Sequence, residues 1–364
     1  MEDERPIRPQ VVGPQIGTSA GNFFQTDHDL LVQGRRAAKR ENKAGEPIEI
    51  TSKALCLLLA EYEGRKTVKL FKGHTGPVTC LGLWYKNGEE YLITGSWDQT
   101  LIKWNTKTKE QLKIFSKHTD FVKSLTIAHT TGTLYSGSSD RQILSWNLDT
   151  GDLLPVIMKG HTRGIEDLVF DESEKHLYSA SSDRHIRKWN PATGECLQLF
   201  EDHLTSVYFI RVVDEVMWSA SADKTVKRWD LVTGKVDTTF THPDFVKCLV
   251  ELGPYLITGG RDEDIRVFDI GTGKIIKTME GHFDEVSCMA ARGTMVYTGS
   301  LDCTVRRWSV TAKDLAQSTD AEKSKSEHEP SSSSLKNNTT ANTKTMLTEE
   351  EEKELAELIG SDDE

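Results

Sequence analysis

A pattern of four residue types recurs six times along this chain, and it limits the fold more than any other feature. Each copy is a His, later a Ser or Thr, an Asp four residues after that, and an aromatic six residues further on. The copies are His74, Thr94, Asp98, Trp104; His118, Ser136, Asp140, Trp146; His161, Ser179, Asp183, Trp189; His203, Ser219, Asp223, Trp229; His242, Thr258, Asp262, Phe268; and His282, Thr298, Asp302, Trp308. A repeat of about forty residues builds a row of supersecondary units, none of which can bury its apolar surface alone. After His161, GIEDLVF alternates in polarity, and HLYSAS, HIRKW and CLQLF follow as further strand-like runs. SSDRH and NPATGE between them carry the Asp and Thr-Gly steps of tight turns. Four short antiparallel strands per unit, set radially around a channel, leave only short protected edges. The expected fold class is all-β, a propeller of six clear blades.

With these landmarks in place, the chain resembles the WD-repeat β-propeller family over about two thirds of its length. The family's Gly-His stands intact at Gly73-His74, Gly160-His161 and Gly281-His282, and its Trp-Asp at Trp229-Asp230; the other copies read WN, WN, WN, FD and WS. The resemblance implies that the His, Ser/Thr, Asp and Trp of each copy form a hydrogen-bonded chain inside the blade. That role falls on His74, Asp98, Trp104, His118, Asp140, Trp146, His161, Asp183, Trp189, His203, Asp223, Trp229, His242, Asp262, His282, Asp302 and Trp308. Such a network stabilises only when complete, because an unpaired buried polar group costs about 1 to 3 kcal/mol. Phe268 carries no indole N–H for Thr258, so the fifth blade is expected to be the least well tied.

The repeat assigns residues 67–310 to the propeller. Residues 1–26 read as a flexible N-terminal arm, and 311–345, rich in Ser, Thr, Asn and Lys, as a disordered linker. Residues 346–364 read as an acidic amphipathic helix: Thr348 and Glu351 have capping-box spacing, and Leu355, Leu358 and Ile359 share a face. It would dock a partner, fold back on the propeller, or merely solubilise. Residues 27–66 allow two readings. Aligning KTVKLFKGH with EQLKIFSKH makes LCLLLAE a strand and Pro47–Ile50 its partner, which gives a degenerate N-terminal seventh blade. The alternative is a helical extension through QGRRAAKRENKAGE.

Charge narrows the partners. The formal net charge is −11, and residues 311–364 hold six Lys against fourteen Asp plus Glu, or −8 of it. The remaining body is nearly neutral, which argues against direct nucleic-acid binding, although Arg35, Arg36, Lys39, Arg40 and Lys43 form a local basic patch. MEDERPIRPQ lacks a hydrophobic run, and Ala54–Ala60 is far too short to span a bilayer. A cytoplasmic or nuclear protein without membrane insertion is expected.

Signs of chemistry are lacking. The sequence holds no Gly-rich phosphate loop, HExxH or GxSxG, and none of the six cysteines stands in a CxxC spacing. Cys80, Cys248 and Cys288 each follow a repeat His by six residues and read as buried core thiols. No cofactor, metal or catalytic residue is assigned, since six His/Asp pairs at one slot speak for architecture. The expectation is a non-enzymatic scaffold or adaptor that binds other proteins or peptides.

In the family, partners dock on the face carrying the loops before each inner strand and the turns between second and third strands. The resemblance places Trp97, Phe121, Arg163, Phe245, Lys247, Arg261 and Phe283 there as partner-binding candidates. Lys247 and Arg261 match positions where F-box-type WD-repeat propellers hold phosphopeptides. That opens an alternative, a phosphopeptide or substrate-recognition subunit of a ubiquitin ligase, although Trp229-Asp230 lacks the Arg two residues on that often marks such receptors. A component of an RNA-processing or other nuclear complex is a further alternative.

Overall fold

The computed structural model of the protein describes residues 39, 43, 44, 47–49 and 71–315. Strands fall where the alternating runs lie. Each His-to-aromatic copy is an antiparallel meander whose spatial order follows chain order. Blade three illustrates it, with Ile165–Asp171 innermost, then His176–Ser181, Ile186–Trp189 and Cys196–Phe200. The other blades span 78–116, 122–159, 207–241, 246–279 and 286–309. Among the described residues these make six blades of four strands, the last completed from elsewhere in the chain.

That completing strand is Ile48–Glu49, which pairs with Val305 and Thr304 at the outer edge of blade six. The pairing corrects the expectation that Pro47–Ile50 belongs to a seventh blade: the unpaired backbone edge of Thr304–Ser309 is where this strand finds its hydrogen bonds. LCLLLAE and residues 66–70 lie outside the described residues. Phe71, which the alignment of KTVKLFKGH with EQLKIFSKH matches to Phe115, packs edge-on against Trp104 at 5.7 Å, as Phe115 does against Trp146 at 5.4 Å and Phe200 against Trp229 at 5.7 Å. The alignment is thus correct at that residue.

The apolar residues meet between blades. Five clusters fill the five gaps from blade one to blade six; the first joins Trp84, Phe115, Val122 and Trp146 across blades one and two. Each blade therefore depends on its neighbours for burial, as a repeat array requires. The body continues past residue 310 in a helical turn, 312–315, whose Leu315 is buried in the cluster of blades five and six. The arm 1–26 and the acidic stretch 346–364 lie outside the described residues.

Every inner strand carries a β-bulge at one position. The register slips across Thr79, Lys123, Glu166, Tyr208, Lys247 and Ser287 in blades one to six. A bulge leaves one residue out of the ladder and re-aims its side chain. Here the six extra residues line a central cavity of about 300 Å³.

Candidate functional site

Blade three contains the complete network. His161 Nδ1 lies 2.8 Å from Asp183 Oδ2, and Nε2 lies 2.6 Å from Ser179 Oγ. The Trp189 indole donates to the same Oγ at 2.8 Å. Chemistry fixes the direction: an indole only donates and a carboxylate only accepts, so Ser179 donates to His161 and His161 to Asp183. Asp183 also accepts the amides of Thr162 at 2.9 Å and His185 at 3.1 Å, tying the loop before the inner strand to the turn. Burial pushes the Asp183 carboxyl up, but the hydrogen bonds from His161 and those amides outweigh it and hold the group well below the usual carboxylate range. Burial lowers His161, keeping the ring neutral.

The same His–Asp contact measures 2.7–2.8 Å in blades one, two, four and six. Their partners consume both ring nitrogens, leaving none for a substrate proton. Blade five departs, as its missing indole led us to expect, but by more than that one bond. His242 reaches Thr258 Oγ1 at 2.9 Å, while its Nδ1 is buried without a partner and Asp262 pairs with Arg266 instead. Desolvation and the Arg266 charge push His242 down to about 4. Burial raises Asp262 despite Arg266. Blade five also has Gly260 where the others have Ser96, Ser138, Ser181, Ser221 and Ser300, each of which accepts the amide of its Asp at 3.1 Å. A Cβ at Gly260 would stand 2.0 Å from the Phe245 carbonyl oxygen.

The candidate docking residues cover the face where the His and Asp lie, in two groups. In blades one and two, Trp97 and Phe121 are 44% and 41% exposed and stack on each other, centroids 5.1 Å apart and planes at 19°. Arg163, on the loop before blade three, is exposed. In blade five the half-buried Phe245 lies under the Arg261 guanidinium at 5.3 Å, and Arg261 sits 3.9 Å from Asp244. Lys247 Nζ is 3.5 Å from the Tyr208 ring centroid and 3.7 Å from Glu285. Phe283 is half-buried, and its amide donates to Asp302 at 3.2 Å. The two cations matched to phosphopeptide binding thus already face carboxylates.

Inside the cavity the lining is mixed. Lys123 pairs with Glu166 at 2.6 Å, and Asp167 accepts the amides of Ile210 and Leu168, both at 2.9 Å. Burial pushes the Asp167 carboxyl up to about 7 against those bonds. Cys80, Cys248 and Cys288 line the same wall; burial pushes Cys80 up to about 12 and Cys288 up to about 11, so the thiols stay protonated at neutral pH. Sequence reasoning did not single out Asp167, although a carboxylate in the slot otherwise held by Cys, Ser and Phe was a visible signal. It also placed Lys39 in a basic patch, whereas the side chain is buried with Nζ 2.7 Å from Asp264 and 3.3 Å from Glu263 of blade five. No spacing rule could have paired residues that far apart in sequence.

Radial four-stranded blades tied by a repeated His, Ser/Thr, Asp and Trp define a WD-repeat propeller. Residues 65–105, 109–147, 153–190 and 273–309 match the WD domain, G-beta repeat. Residues 191–272 fall outside those segments, and they hold all of blade four and most of blade five. An uncharacterized WD repeat-containing protein of Schizosaccharomyces pombe is 32% identical over 323 residues, covering 79% of this chain and 88% of that protein. Human striatin is 27% identical over 272 residues, 71% of this chain but only 31% of striatin. Protein ROOT INITIATION DEFECTIVE 3 of Arabidopsis thaliana is 37% identical over 60 residues, 16% of this chain and 14% of that protein. The chain belongs to the WD-repeat family, whose propellers are in general non-catalytic interaction scaffolds.

Proposed function

We propose that the protein is a scaffold or adaptor that binds other proteins through the face bearing the His–Asp networks, in the cytoplasm or nucleus. The observation that carries this reading is the Trp97–Phe121 stack. Two large rings from neighbouring blades are held in fixed contact while over two fifths of each stays in solvent. Rigid aromatic surface with arginine nearby is the composition of binding hot spots. The loops beneath are pinned by the networks, so little conformational entropy is lost when a partner docks. The phosphopeptide alternative rests on Lys247 and Arg261, and a phosphate there would have to displace Glu285 and Asp244.

Proximity labelling in cells with the intact chain, a Trp97→Ala/Phe121→Ala variant and a Phe245→Ala/Arg261→Glu variant tests the reading. Val232→Ser, in a 77% exposed turn at the opposite end of blade four, is the control. Neighbours should disappear from one or both face variants and persist in the control. Identical neighbours in all four proteins would remove the face from consideration.

A further inference from the structure

The carboxylates and cations of the His–Asp face are divided unevenly. In blades five and six the cations Lys39, Lys247, Arg261 and Arg266 all have carboxylates within 4 Å. In blades two and three, Arg141, Lys159 and Arg163 are exposed, and none has an ion pair among the described residues. The structure brings these three together. Lys159 is the cross-strand partner of Gln142, next to Arg141. Gly164, next to Arg163, lies hard against the backbone of Ser139, two residues before Arg141. Ser139 also donates its amide to the Phe121 carbonyl at 2.9 Å. One residue of blade two therefore joins the arginine-bearing loop of blade three to the loop that carries Phe121 of the Trp97–Phe121 stack.

We propose that this sector, the Trp97–Phe121 stack with Arg141, Lys159 and Arg163 beside it, docks an acidic peptide that carries a large apolar side chain next to its Asp/Glu run. The inference rests on the scaffold reading above and names the chemistry of the partner. The apolar side chain covers the exposed edge of the two rings, where area removed from water is the driving term. The carboxylates meet three cations that have no competing acid to displace. Those cations come from separate segments, so they suit a run of single carboxylates better than one phosphate, which calls for donors converging on a point. A single-stranded RNA would also favour basic and aromatic surface. It is disfavoured because Trp97 and Phe121 already spend one face each on the other, which leaves less ring face for successive bases to stack on.

Fluorescence anisotropy with the full chain tests it. The probe is a labelled synthetic peptide with one Leu and one Phe inside a Glu/Asp run, compared with its all-Gln counterpart and with labelled oligouridylate. The acidic peptide should bind at least tenfold more tightly than the Gln peptide at low salt, and the advantage should shrink as salt rises. Arg141→Glu/Arg163→Glu and Trp97→Ala should each weaken it about tenfold, a size set by exposed charge pairs and an aromatic anchor. Arg141→Lys/Arg163→Lys and Arg261→Glu should stay within about threefold, because charge is kept in the first and a distant paired cation is altered in the second. Equal binding of the Gln peptide, tighter binding of oligouridylate, or indifference to the charge reversal overturns the proposal. If Trp97→Ala/Phe121→Ala still strips neighbours in cells while the acidic peptide does not bind, the docking face stands and the acidic partner falls.

Discussion

Blade three and blade five are built from the same pattern, yet their Asp carboxyls are pushed in opposite directions. In blade three every polar group of the chain from Trp189 to Asp183 has a partner, and the carboxyl is held low. In blade five Phe268 removes the indole, Gly260 removes a hydroxyl, and Asp262 turns to Arg266; His242 has no carboxylate partner among the described residues and is pushed down by burial and the Arg266 charge, while burial pushes Asp262 up. Several differences thus coincide in one network, whose groups polarise one another. Blade five is held partly by other means: Lys39 comes from far away in the chain to meet Glu263 and Asp264.

The largest expected effect separates the two blades directly. Asp183→Ala strips the acceptor from His161 and two amides and should lower stability by about 3 kcal/mol in denaturant unfolding. Asp262→Ala should cost about 1 kcal/mol or less, since Arg266 retains Asp264 at 3.7 Å. Equal losses would mean the two turns are equivalent after all. Next comes Lys39→Met, which takes a cation from two buried carboxylates; the usual cost of about 3 to 5 kcal/mol falls to about 2 kcal/mol because Arg266 stays 3.7 Å from Asp264. Hydrogen exchange should show the loosening concentrated in residues 260–266, and uniform exchange would deny Lys39 its place in blade five.

A pH test addresses His242. Its ring is neutral in the fold down to about 4, whereas an unfolded His takes up a proton near pH 6.5. The unfolded state therefore binds more protons between those values, and stability falls as pH drops through that window. His242→Gln should lose about 2 kcal/mol less than the intact chain between pH 7 and pH 5. Parallel pH profiles would show that His242 charges freely. The smallest effect is a repair: Phe268→Trp gives Thr258 its missing donor and should add about 1 kcal/mol or less to the midpoint stability. Phe268 packs on Phe240 at 5.3 Å, a contact the indole must keep, so a loss instead of a gain would mean the site cannot hold the larger ring.

The repeat made blades, turns and the weakness of blade five legible, because each follows from residue type at fixed spacing: Phe268 cannot donate wherever it is placed. What stayed hidden depends on contacts across large sequence separations. Ile48–Glu49 reads as a strand, but nothing local says that its partner is Thr304–Val305. The stacking of Trp97 on Phe121 joins two blades, and the alignment placed both on one face without showing that they touch. Gly260 was visible as the odd residue in a column of serines, yet its reason, the Phe245 carbonyl, is tertiary.

The six bulges have a bearing on how such a chain can change over generations. Each places one residue outside the ladder, and the six are Thr79, Lys123, Glu166, Tyr208, Lys247 and Ser287. Substituting any of them leaves the flanking ladder pairs in register, so the changes that must accompany a new lining residue fall on its contacts around the cavity, such as the Lys123–Glu166 pair, and not on the blade networks. The neighbouring His and Asp have no such licence. A propeller of this kind separates the positions free to diverge from those that cannot, and it does so by slipping one residue in each inner strand.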